Sequence, residues 1–187
     1  MHPIVQGNID ALKQALSLLR SLTAQQYRQV CRPYLQSSIG THCRHILDNY
    51  LALISALDCA TENQDSVFVD YNLKRRQHAL EQDKSQAIAE FSKLLDWLQQ
   101  ADLFDMIEKR APSVQVRSEV TLESENSVVV PSTLARELTL LSSHAIHHFA
   151  IIAISVRLQS GEVDPRFGLA ATTASYQRRQ GLQLVEQ

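Results

Sequence analysis

Residues 134–158 read LARELTLLSSHAIHHFAIIAISVRL, one long apolar stretch with helical rather than alternating periodicity. Pro131, Ser132 and Thr133 supply a helix start before it, and Gly161 a stop after it. Advancing about 100° per residue places Leu141, Ser155 and Glu137 within about 20° of His148, and His144 and Ile152 within about 40°. His144 and His148 therefore share one face, while His147 lies about 100° away on the flank. A helix this apolar needs other helices to cover it, and the remaining sequence supplies them.

Working outward, the first helix is expected from about Pro3 to Leu22, with Ile4, Leu12, Ala15, Leu18 and Leu19 at helical steps. Ser37 or Ser38 caps a second helix that runs to about Cys59 and carries His42 and His45. Residues 60–84 are polar and weakly periodic and read as a long connection, long enough to cross a bundle. A third helix covers about Lys84 to Leu103 with Ile88, Phe91, Leu94, Leu95 and Leu98 turned inward. Val114 to Val120 and Ser127 to Val130 suggest a small β-hairpin before the last long helix. Residues 161–187 read as an irregular tail with about one turn of helix around Tyr176 to Arg179. The expected class is all-α: a four-helix bundle over about residues 3–160, within a single domain of residues 1–187.

Composition narrows the partners. A formal net charge of −2 gives no basic footprint for nucleic acid. No run of about 18 apolar residues is read as a bilayer span, and Met1 to Gly7 lacks the basic-then-apolar order of a secretory signal. Cys31, Cys43 and Cys59 are odd in number and lack CxxC spacing, which suits free thiols in a reducing compartment. The expectation is a cytoplasmic protein with no nucleic-acid or membrane partner; a homodimer is carried as an option.

Five of the seven histidines fall in two short helical stretches. His144 and His148 are one turn apart, with Cβ atoms about 5–6 Å apart, so both rings can reach one ion at about 2.0–2.1 Å. Position 145 is alanine, so the HExxH arrangement of zincins is absent, and no Glu-x-x-His of a di-iron bundle occurs. One buried histidine alone is read as packing; two from one helix with a third from another point to a metal site. His42 and His45 both offer that third ligand, and the apolar face of Ile39, Ile46, Leu53 and Leu57 prefers His42. Glu137, on the ligand face, is the candidate general base. Asp70, Tyr71 and Arg75 are read as a solvated or salt-bridged loop, or as a pocket mouth.

The stretch SSIGTHCRHILDNY, residues 37–50, resembles the S-I-x-x-x-x-x-H-apolar-x-acid signature of the DinB/YfiT superfamily of helical-bundle metalloproteins, and HAIHH, residues 144–148, is similar to its H-x-x-H-H helix. The resemblance implies a bundle whose divalent metal ion, zinc, nickel or iron, is held by His45, His144 and His148, with water in open positions. It also implies the class of activity. Relatives include transferases and isomerases that use mycothiol or bacillithiol, and DinB-like domains of ergothioneine-synthesising iron enzymes. Phe149, Ala150 and Ile151 stand where the family usually has Arg-Gly-Gln. The functional expectation is a metal-dependent hydrolase or thiol-dependent transferase acting on a small molecule, a low-molecular-weight thiol among the options. The alternative is a non-enzymatic metal- or small-molecule-binding stress-response protein.

Overall fold

Pro3 stands at the first position of helix α1 (Pro3–Ser21), where a missing N–H costs no hydrogen bond, and the His2 ring caps the helix by accepting from the Ile4 N–H. Thr23 and Gln26 then form a capping box around the short α2 (Ala24–Arg28). Ser38 accepts from the Thr41 N–H to open α3 (Ile39–Cys59), Asp83 from the Ser85 N–H to open α4 (Lys84–Leu98), and Thr133 from the Arg136 N–H to open α6 (Leu134–Leu158). These elements belong to a computed structural model that describes residues 2–60, 66–100, 102–110 and 112–181. Residues 61–65 of the expected connector and 182–187 of the expected tail lie outside the described residues.

The four long helices pack as a ring, α1 against α4 and α6, and α3 against the same two. Val5, Ile9, Leu12, Leu16 and Leu19 of α1 meet Ile39, Ile46, Tyr50 and Leu53 of α3, Phe91 and Leu94 of α4, and Leu138, Leu141, Ala145, Phe149 and Ile152 of α6 in one core. Asn8, fully buried, bolts three helices together. Its Nδ2 donates to the Leu138 carbonyl of α6 at 3.0 Å, and its Oδ1 accepts from the Tyr50 hydroxyl of α3 at 2.6 Å. Together the two bonds fix how α3 and α6 face each other.

The expected all-α class is incorrect. A three-stranded mixed sheet accompanies the helices, in the order β1 (Ser66–Asp70), β2 (Ser113–Glu119), β3 (Ser127–Thr133). The expected hairpin is the antiparallel β2–β3 pair, but β1, inside the stretch read as a plain connection, adds to β2 in parallel. Val67 and Val69 alternate inward beside Val114 and Val116, and the sheet lies against α3 through β1. Five residues of period-two pattern between polar flanks make a weak sequence signal; burial against α3 and the ladder to β2 decide the conformation. Strand β3 runs straight into α6, its last residue Thr133 serving as the helix cap.

Other expectations shift at their edges. The third long helix ends at Leu98, and a short α5 (Asp102–Asp105) followed by a π-turn (Met106–Arg110) occupies the remainder. In the tail, α7 (Ala171–Arg179) is longer than one turn and buries none of its side chains. The segment before it packs on α6: Phe167 stacks on Phe149 with centroids 4.9 Å apart. Gly168 has φ +74°, and a Cβ there would meet the Ala150 backbone nitrogen at 2.6 Å. By length and composition α6 is sufficient to cross a membrane, contrary to the sequence reading; its buried face packs against α1 and α3, as in a core helix.

Candidate metal centre

The face of α6 that enters the core centres on Leu138, Ala145, Phe149 and Val156, all buried. His148 lies about 80° and His144 about 120° from that centre. Both are half-buried at the edge of the core, where α3 runs alongside, and His45 projects from α3 into the same place. The Nε2 atoms of His144 and His45 are 2.9 Å apart, and those of His148 and His144 are 3.2 Å apart. One ligand nitrogen from each ring lies within 4.8 Å of the others. The rings meet edge to face, centroids 4.6–4.9 Å apart.

Hydrogen bonds cannot satisfy this triangle. An imidazole nitrogen has either one N–H or one in-plane lone pair, so Nε2 of His144 can serve one neighbour well and not two. A divalent cation removes the conflict, because three neutral nitrogens then direct lone pairs at one point. Ligands at about 2.0–2.1 Å from a tetrahedral ion stand about 3.3 Å from one another, close to the 2.9 and 3.2 Å that His144 keeps from His45 and His148. The donor set therefore fits zinc, nickel or ferrous iron.

The electrostatics favour the neutral, ligating form of the rings. Burial, then the positive charges of Lys74 and the neighbouring groups, pulls His45 down to about 4, with Asp48 opposing. Burial and the adjacent rings lower His148 to about 3. Burial followed by His147 lowers His144 and His42 as well. His147 itself is exposed, with its ring 5.5 Å from that of His148, consistent with its expected place on the flank.

Both histidines of α3 reach the cluster, by different atoms. The periodicity of α3 favours His42, yet His45 puts its Nε2 against His144, while His42 meets the far side of His148, Nδ1 to Nδ1 at 3.0 Å. The apolar wheel does not separate the two, because β1 and the turn at Ala79–Glu81 also cover α3, giving it a second occupied flank.

That flank is held by an ionic knot. Asp48, 4% exposed, accepts from Arg44 Nη1 at 2.6 Å, from the Arg75 backbone N–H at 3.0 Å and from Arg75 Nε at 2.7 Å. Arg44 also binds Glu81, and Arg75 donates to both oxygens of Glu90 on α4. Burial alone would raise Asp48, but the bonds from Arg75 and Arg44 outweigh it and keep the carboxyl below the usual range. Arg75 thus belongs to a salt-bridged segment, and next to it Lys74 donates to Asn49, one turn beyond His45. Close approach at Gly40 completes the arrangement: a Cβ there would lie 2.1 Å from the Glu81 carbonyl oxygen.

Glu137 is not brought to the rings. It is 2% exposed, and its oxygens accept from the Tyr71 hydroxyl at 2.8 Å and the Ser132 hydroxyl at 2.5 Å. Seven residues of helix separate it from His144, about 10 Å along the axis. Its place ties the end of β1 to the start of α6. A cavity of about 490 Å³ lies elsewhere, between α1 and residues 162–167, and none of the clustered histidines lines it. The sequence reading missed the pairing of His42 with His148 and the knot around Asp48. Arg44 and Asp48 at i, i+4 were a legible signal for the latter.

Compared with known proteins, the chain matches no family model, no curated protein and no solved structure.

Proposed function

We propose that the chain is a metal-dependent protein of the DinB-like type, binding one divalent ion through His45, His144 and His148 and acting as a hydrolase or thiol-dependent transferase on a small molecule. The supporting observation is the three-ring cluster, whose ligand nitrogens lie within 4.8 Å of one another. Three neutral nitrogens leave coordination positions free, the pattern of catalytic rather than closed structural sites. A bound ion would supply Lewis acidity and lower the pKa of a coordinated water or thiol. The chain's own groups bind and orient: His45, His144 and His148 hold the ion, and Lys74 adds a positive charge beside them that favours an anionic group, a thiolate included.

The engagement of Glu137 by Tyr71 and Ser132 favours the second reading, a metal- or small-molecule-binding protein without turnover. Thiol-transfer and ester- or amide-hydrolysis assays on tag-free, metal-replete protein, with metal content measured on the same sample, separate the two. Stoichiometric metal with turnover that disappears in His148→Ala supports the enzyme. Stoichiometric metal with no turnover supports the metal-binding protein, and absence of metal after exposure to zinc, nickel and ferrous ions removes the enzyme and the metal-binding protein alike.

A further inference from the structure

His148 differs from its two companions. Among the described residues, it is the one of the three whose remaining ring nitrogen has a protein partner, the Nδ1 of His42 at 3.0 Å. We infer that His42 is a positioning residue that fixes the tautomer and ring angle of His148 for metal binding. The inference rests on the three-histidine reading given above, and goes beyond it by assigning a role to a fourth ring.

The proton assignment follows from the geometry. The Nε2 of His148 faces His144 and His45, where it must present a lone pair to serve as a ligand. A neutral imidazole has one proton, so it then sits on Nδ1. Nδ1–H of His148 donates to Nδ1 of His42, which accepts and keeps its own proton on Nε2. The ring centroids are 5.1 Å apart with planes inclined at 44°, so the contact is edge-directed and not a stack. His42 and His45 are three residues apart on α3, so one helix face carries both a ligand and the support for a ligand on α6. Because Asn8 of α1 ties α3 to α6 through its bonds to Tyr50 and to the Leu138 carbonyl, the support is in place before any ion arrives. Partners of this kind orient ligating imidazoles and raise their basicity, and their loss weakens metal binding about 10–100-fold.

Cobalt(II) titration against a competing chelator, with helicity checked by circular dichroism, tests the inference on wild type, His42→Ala, His42→Asn and His148→Ala. Asparagine places a carbonyl acceptor where Nδ1 stood, so it keeps the bond while removing the ring. His42→Ala is expected to bind one cobalt about 10–100-fold more weakly, and His42→Asn to recover most of that loss. Nitrogen-15 spectra of the zinc-loaded protein should show a protected Nδ1–H on His148 that His42→Ala loses and His42→Asn retains. Unchanged affinity in His42→Ala overturns the inference while leaving the metal site standing. Loss in His42→Ala as complete as in His148→Ala also overturns it, by making His42 a ligand. Wild type that binds no cobalt overturns the metal reading itself, and this inference with it.

Discussion

Alanine at His45, His144 or His148 removes one of three nitrogens around a single point, and two neutral imidazoles bind a divalent ion far more weakly than three. Each of these variants is expected to lose stoichiometric metal on gel filtration, whereas exposed His147→Ala should keep it. Elemental analysis reads the outcome, and equal loss at position 147 would show that the flank ring is a ligand. Residue by residue, the cluster was partly legible in the sequence. The i, i+4 spacing of His144 and His148 puts both rings on one side of a helix whatever packs there. The choice between His42 and His45 could not be made from periodicity, because the wheel ranks positions against one apolar neighbour. On α3, coverage by β1 and by the Ala79–Glu81 turn adds a second. Glu137 misled for a related reason: its angle on α6 is that of a ligand, but its height along the axis is not, and Tyr71 reaches it first.

Among elements, the segment from Arg75 to Glu81 has little apolar surface of its own beyond Leu80, and the ionic knot on α3 seats it. Asp48→Asn keeps the shape and removes the charge shared by Arg44 and Arg75, leaving two guanidinium groups partly desolvated. The expected cost is about 3 kcal/mol, at the lower end for a buried pair because a third of the Arg75 side chain is exposed. Urea denaturation measures it, and a change below about 0.5 kcal/mol would reduce the knot to a surface ion pair. A lowered affinity for metal should accompany the loss, since Lys74 and the α3 flank beside His45 are seated by the same segment. The long helices were readable because each has a cap and several turns of repeated spacing. Strand β1 was not, since its stability is non-local: Val67 and Val69 gain their burial only when β2, more than forty residues later, lies beside them.

For the molecule as a whole, the core of four helices and a sheet is large enough to fold without an ion, unlike a zinc finger. The clustered rings then give the metal-free protein a defined pH dependence. In the fold His45 and His148 stay neutral down to about 4 and about 3, whereas in the unfolded chain histidines take up protons near 6.5. Below that pH the unfolded state binds more protons than the folded one, so stability falls as pH falls, across the window from about 6.5 to the folded values. Above it these rings contribute no slope. Asp48, held below the usual carboxylate range, acts in the same direction at the acid end. Chelated protein should remain helical at pH 7 and melt at least about 3 °C lower at pH 5, a modest shift because the rings are half-exposed. In a His45→Ala/His148→Ala variant the difference between the two pH values should shrink, because the titrating rings are gone. Metal-loaded protein should show a steeper fall over the same window, since protons and the ion compete for the same lone pairs. A melting temperature independent of pH from 7 to 5 in the chelated wild type would mean that the rings meet solvent freely and are not gathered as described.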